Sequence, residues 1–186
     1  MADAARDIPR MSATEYLQME KQATSRHEFV NGVVYAMAGG SRRHNMIVNS
    51  IFAALSAGLR APCEIFTVDV KVNVEATNEQ DFFYPDVVAT CSELDNDEYL
   101  IKYPSLVVEV LSRSTEGADR GYKFDAYKKL PSLQEYVLVH QERARVEIFR
   151  RRTDWQQEVY EPEAAILLDS IGATVPIAQF YRRIKF

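Results

Sequence analysis

One segment constrains this chain more than any other: Ser105-Leu-Val-Val-Glu-Val-Leu111. Its apolar residues run almost unbroken, as in a strand buried on both faces, whereas a strand with one wet face alternates. Glu109 stands inside that run. An ionised carboxylate among apolar neighbours is costly to bury unless something pairs with it. Three compensators are open at this point: a basic partner, a metal ion, or exposure at the strand end.

Tyr84-Pro85-Asp86-Val87-Val88-Ala89 poses the same problem again, with an aspartate at the mouth of an apolar run. Asp86 and Glu109 are 23 residues apart (109 − 86). That separation accommodates a strand, an acidic loop over 92–98 and a return strand. Adjacent strands would set the two carboxylates side by side, where they repel until they share a proton or hold a cation. Hard oxygen donors of this kind suit Mg²⁺ or Mn²⁺.

The rest of the chain alternates helix and strand signals. Ser12-Ala-Thr-Glu15 has the spacing of a capping box and opens a short helix to about residue 21. Asn31-Gly32 between apolar runs marks a hairpin. Ser41 can cap a helix whose Ile47, Ile51, Leu55 and Leu59 recur every four residues. Strands are expected over 64–74, 82–91 and 105–111, then a helix over 115–130 stopped by Pro131. A buried strand at 136–139 and a hairpin from 145–149 and 155–160 follow. This interleaving predicts an α/β (mixed α+β) fold, a central mixed sheet flanked by helices. With no repeat or linker, one domain is expected over 12–186, preceded by a flexible segment 1–11.

Composition narrows the function classes. A chain of 186 residues, 47% of them hydrophobic, can bury a sizeable core. No run approaches the ~20 apolar residues of a membrane span, and the N-terminus lacks a secretory signal's apolar stretch. Cys63 and Cys91 are too few for a disulfide scaffold and lack metal-ligand spacing, so a reducing cytoplasm is the simplest setting. A net charge of −5 argues against a strong grip on nucleic-acid phosphates. It leaves room for a metal-dependent nuclease, whose site needs carboxylates. Arg150-Arg151-Arg152 and Arg182-Arg183 read as solvated surface.

Asp119, Lys123 and Tyr127 lie four residues apart and share a helical stripe. By itself the Asp119–Lys123 spacing describes a surface ion pair. The helix directly follows the Glu109 strand, however, and can pack over its end. His44, near the apolar face of the long helix, reads first as a buried structural histidine. Glu28, before the Asn-Gly turn, reads as a strand-surface charge.

Together, Tyr84-Pro85-Asp86-Val87-Val88, then Leu106-Val-Val-Glu109-Val-Leu-Ser112, then Asp119, Lys123 and Tyr127 resemble the Uma2 (DUF820) family. That family is abundant in cyanobacteria and is described as PD-(D/E)xK endonucleases of restriction-endonuclease-like fold. The resemblance runs on through Glu28-Phe-Val-Asn-Gly32, His44 and Glu135-Tyr136-Val-Leu-Val139, covering roughly residues 12–185. It implies a restriction-endonuclease-like core with added N- and C-terminal hairpins. It also implies that Asp86 and Glu109 are catalytic and bind Mg²⁺ or Mn²⁺, with the backbone carbonyl of Val110 as a further ligand.

The superfamily's lysine belongs two residues after Glu109, where this chain has Leu111. Lys123, reaching in from the next helix, is the matching candidate. On the same resemblance Asp119 positions Lys123, Tyr127 contacts a phosphate, and Glu28 and His44 support the site. Arg42 and Arg43 would meet the nucleic-acid backbone from the helix start. The expectation is a cytoplasmic Mg²⁺/Mn²⁺-dependent endonuclease acting on nucleic acid, DNA first, with no membrane partner. The competing reading is an inactive nuclease fold in which Asp86, Glu109 and Lys123 form an ion network. A third is an interaction module, such as a homodimer formed through the C-terminal strands.

Overall fold

The computed structural model describes residues 10–76 and 79–186. Residues 1–9 of the segment expected to be flexible lie outside the described residues. Met11, at its end, is held, with its N–H donating to the Gly32 carbonyl at 2.9 Å. Helix α1 (Ala13–Gln22) opens on the expected capping box. Ser12 Oγ accepts the Glu15 N–H at 3.2 Å, and the Glu15 carboxylate accepts the Ser12 N–H at 2.7 Å. Strands β1 (His27–Val30) and β2 (Val33–Ala36) form the hairpin. Its turn residues Asn31 and Gly32 have φ of 50° and 83°, the two positive values that a tight hairpin turn demands. Helix α2 (Arg42–Ser56) starts at Ser41, whose hydroxyl accepts the His44 N–H at 3.1 Å.

The two long strands expected next each break in two. Residues 64–74 divide into β3 (Glu64–Thr67) and β4 (Lys71–Ala76), because the chain turns at Val68 with φ of 29°. Residues 82–91 divide into β5 (Glu79–Phe83) and β6 (Val87–Thr90) around Pro85, which has no N–H to give to a ladder. After β7 (Leu100–Ile101) comes β8 (Pro104–Leu111), the unbroken buried strand the sequence predicts. The helix expected over 115–130 also divides, into α3 (Glu116–Arg120) and α4 (Tyr122–Lys128), at Gly121. Strands β9 (Glu135–His140), β10 (Val146–Arg150) and β11 (Gln157–Tyr160) follow as expected. The tail adds a hairpin that periodicity did not reveal, β12 (Ala165–Leu168) and β13 (Ala173–Pro176).

The central sheet has six strands in the order β11-β10-β9-β8-β6-β3. Strands β8 and β9 run parallel and the other ladders are antiparallel, so the sheet is mixed. The strand breaks send β4 and β5 into a second, five-stranded sheet, β2-β1-β5-β4-β7. Alternation along β8 then serves two cores. Leu106, Val108 and Val110 pack with Ile47, Val48, Ile51 and Leu55 of α2 and with the β12–β13 hairpin. Val107 and Leu111 pack with Ala126 and Tyr127 of α4 and with Val72, Val74 and Phe83 of the second sheet. Glu109 shares this second face, enclosed between the central sheet and α4.

Two surface expectations are corrected. Arg150 is buried at 2% exposure, and Arg151 donates to the carbonyls of Leu133 (2.7 Å), Lys128 (3.1 Å) and Leu130. Of that basic triplet, Arg152 is the solvated member, with 64% of its side chain exposed. Cys63 and Cys91 flank the β3–β6 ladder and form a disulfide, which runs against the reducing setting read from the cysteine count. Among the described residues, no helix is long and apolar enough to cross a membrane.

Candidate functional site

Strands β6 and β8 pair antiparallel with Val87 opposite Val108, which brings Asp86 up to Glu109 at the ladder's end. The Asp86 N–H donates to Glu109 Oε2 at 3.3 Å. Asp86 Oδ2 accepts the Val110 N–H at 2.7 Å, and Oδ1 lies 2.9 Å from His44 Nε2. In a strand the N–H and C=O of one residue face the same side. Val110 therefore turns its carbonyl toward the Asp86 edge as well. The expected neighbourhood of Asp86, Glu109, Val110 and His44 is present in the structure.

Lys123 reaches this neighbourhood from α4. Its ammonium lies 2.9 Å from Glu28 Oε1, 3.3 Å from Glu109 Oε1 and 3.4 Å from Asp119 Oδ1. Glu28 comes from the second sheet and is fixed there by the Tyr84 N–H at 3.2 Å. The Asp119–Lys123 pair is thus no surface contact, and Glu28 is no surface charge; all three residues are buried. The Asp119 carbonyl accepts the Tyr136 hydroxyl at 2.8 Å, which anchors the end of α3 on the central sheet.

The electrostatics follow from counting. Three buried carboxylates (Glu28, Glu109 and Asp119) share the Lys123 ammonium, while a fourth, Asp86, adjoins Glu109 and meets His44 instead. Burial pushes the Glu109 carboxyl well above its ordinary range; Lys123 opposes this, while the charges of Asp119, Asp86 and Glu28 add to it. Asp119 is raised for the same leading reason, burial, against the pull of Lys123. Burial alone would lower Lys123, but Glu109, Glu28 and Asp119 together hold it well above its ordinary value. His44 is also desolvated, yet its bond to Asp86 and the charge beside it leave its pKa raised. The cluster is short of positive charge.

That deficit, and an all-oxygen donor set, fit a divalent cation of the Mg²⁺ class. Among the described residues, no three His, Cys, Asp or Glu side chains stand together ready to hold a metal. Mg²⁺ commonly takes one or two carboxylates and completes its shell with water and substrate oxygens, and Asp86 and Glu109 would be the two to hold it.

Three expected contacts fall elsewhere. Tyr127 is fully buried, its ring 5.2 Å from Phe83 and 5.7 Å from Tyr136, and its hydroxyl has no partner among the described residues. It is a core residue that cannot meet a phosphate without leaving the core. Arg43 ties α2 to the tail, donating to the Gln141 carbonyl (3.4 Å) and the Lys185 carbonyl (3.2 Å) and pairing with Glu142 at 3.3 Å. Arg42 is exposed, and neither arginine lines the cleft of about 910 Å³ that opens onto the carboxylates. The basic residues that do line it are Arg26, His44, Arg113 and Lys123. Arg113 follows the β8 strand by two residues, a position from which it could have been inferred.

Gly121 sets the elbow between α3 and α4 that aims Lys123. A Cβ there would stand 2.9 Å from the Gly117 carbonyl oxygen, which is backbone and cannot swing away. Gly121→Ala is expected to shift the start of α4 and loosen the Lys123 ion pairs, costing about 1–3 kcal/mol in chemical denaturation. An unchanged midpoint would show that the elbow tolerates the methyl.

Comparison with known proteins agrees with this architecture. The slr1290 protein of Synechocystis is 37% identical over 185 residues, spanning 96% of this chain and 95% of its own length. A second Synechocystis protein, sll1609, is 38% identical over 151 residues, or 78% of this chain and 84% of its own. The crystal structure of a "putative nuclease belonging to DUF820" from Anabaena variabilis matches with a TM-score of 0.74 at 14% identity. It covers 92% of this chain and 98% of that one, a likeness of fold. The Uma2 family, described as "Putative restriction endonuclease", matches residues 13–178, and the chain belongs to that family.

Proposed function

We propose that this protein is a Mg²⁺- or Mn²⁺-dependent nuclease that hydrolyses phosphodiester bonds in nucleic acid, with DNA as its substrate. The observation that carries the reading is the shortage of positive charge in the cluster, where three buried carboxylates share the Lys123 ammonium and a fourth, Asp86, adjoins Glu109. Asp86 and Glu109 would hold the ion with the Val110 carbonyl. When bound, such an ion supplies Lewis acidity to a phosphate oxygen and makes a nearby water more acidic. The chain's own residues do the rest. His44 and the Val110 N–H hold the two oxygens of Asp86 and so fix the plane of its carboxylate. Glu28 and Asp119 keep the Lys123 ammonium beside Glu109, placed to orient an attacking water and to offset charge growing on the phosphate oxygens.

Asp86→Ala and Glu109→Gln are each expected to abolish Mg²⁺-dependent cleavage while circular dichroism stays that of the wild type. Cleavage that survives EDTA, or that stays at the wild-type rate in both variants, would sink the mechanism. A second reading rests on a different observation: each carboxylate oxygen of Asp86 and Glu109 already has a partner within the chain. On that reading the cluster is a structural ion network, and the chain is a binding module or a homodimer without catalysis. No heat on Mn²⁺ titration, together with a dimer by light scattering, favours it. Either reading keeps the cytoplasm as the setting, with the Cys63–Cys91 bond as the feature that speaks against it.

A further inference from the structure

The cleft beside the carboxylates carries two exposed aromatic rings that have no part in the reading above. Tyr35 of β2 pairs directly across the hairpin ladder with Glu28. Residues opposite one another in an antiparallel pair share a face, with Cβ atoms about 4.5–5.5 Å apart. Tyr35 therefore flanks the Glu28 side of the Glu28–Lys123 ion pair. Tyr122 immediately precedes Lys123 at the start of α4, its ring centroid 6.2 Å from that of Phe83. Both rings line the same cleft as Asp86 and Glu109.

They are 49% and 45% exposed, whereas Tyr16, Tyr127 and Tyr136 are fully buried. β2 is moreover the edge strand of its sheet. Two half-exposed rings are thus set in the cleft by two separate elements, Tyr35 opposite Glu28 and Tyr122 next to Lys123. A chain of net charge −5 draws little affinity from phosphate contacts. Stacking on aromatic rings supplies affinity without them and tolerates any base, since every base has a π-face. A base inside an intact duplex has both faces covered by its neighbours and must leave the stack to be reached.

Resting on the nuclease reading, we infer that Tyr35 and Tyr122 receive an unstacked nucleobase next to the phosphate presented to Asp86 and Glu109. The ligand class is a single strand, or a duplex opened at one nucleotide, rather than an intact duplex. The ring faces do the binding, so the hydroxyls are dispensable.

Fluorescence anisotropy in Mg²⁺ tests this with a fluorescein-labelled, cleavage-resistant phosphorothioate DNA strand of mixed sequence and with its duplex. The strand is expected to bind more tightly than the duplex. Tyr35→Ala and Tyr122→Ala should each weaken strand binding about tenfold. Tyr35→Phe and Tyr122→Phe should keep it, with thermal midpoints unchanged in all four. Three results overturn the inference while leaving the nuclease reading intact, provided the wild type cuts DNA: alanine variants that bind like wild type, phenylalanine variants that lose as much as the alanine ones, or tighter binding of the duplex. A wild type that neither binds these probes nor cuts the same strand or duplex with ordinary phosphodiester linkages overturns the nuclease reading itself, and the inference falls with it.

Discussion

Lys123→Met is expected to destabilise the protein by roughly 3–5 kcal/mol, a large share of the stability of a domain this size. Its ammonium is the shared partner of Glu28, Glu109 and Asp119, all buried, and methionine fills similar space without the charge. Removing one member of a buried ion pair leaves a charge with nothing to offset it, and here three are left. Glu109 is already pushed up by burial, and without Lys123 its carboxyl takes up a proton instead. A carboxyl whose pKa is higher folded than unfolded stabilises the fold below its unfolded value, near 4.5. That contribution is lost as pH rises, so the variant's deficit should be smallest in acid. Glu109→Gln goes the other way, since it removes one of four repelling carboxylates while Lys123 keeps two partners. Its urea midpoint should equal or exceed that of the wild type. A Lys123→Met midpoint equal to wild type would show that the cluster does not depend on its cation.

Arg150→Met should cost a similar amount, about 3–5 kcal/mol, for a reason remote from the cleft. The guanidinium joins four strands: its own β10, Glu135 of β9, Glu158 of β11 at 3.1 Å, and the Leu167 carbonyl of β12 at 2.8 Å. Arg150 and Glu135 are both 2% exposed. Without the arginine, Glu135 keeps the Asp169 and Ser170 N–H donors at 3.3 and 3.0 Å but no opposite charge. The double variant Arg150→Met/Glu135→Gln should regain most of the loss, because it removes the orphaned charge too. Hydrogen exchange over 165–176 should report the same order. If the double variant is no better than the single, Arg150 acts through its contact with Leu167 and not through the pair.

Much of the site was legible because its parts sit in strong local patterns. The apolar run around Glu109 and the 23-residue spacing to Asp86 are local facts, and adjacent antiparallel strands followed from them. The Ser12 capping box and the Asn31-Gly32 turn were equally local. What escaped was set by long-range packing. The breaks at Val68 and Pro85 divide apparently continuous strands between two sheets, and hydrophobic periodicity carries no sign of which sheet a strand joins. Gly121 breaks a helix that its flanking residues would continue. Glu28 looked like a surface charge because its burial depends on α4, which lies almost a hundred residues further along. Tyr127 held the right helical stripe for the site, but the second sheet covers it.

The division of the carboxylates between layers gives Lys123 a mechanical role as well as an electrical one. Glu28 rides on the five-stranded sheet and Glu109 on the six-stranded one, and a single ammonium spans the seam between them. The two layers cannot shear past each other without stretching one of those bonds. Parting the layers would strip the ammonium from one carboxylate or the other, so the lysine is a rivet between the sheets as well as their counter-charge.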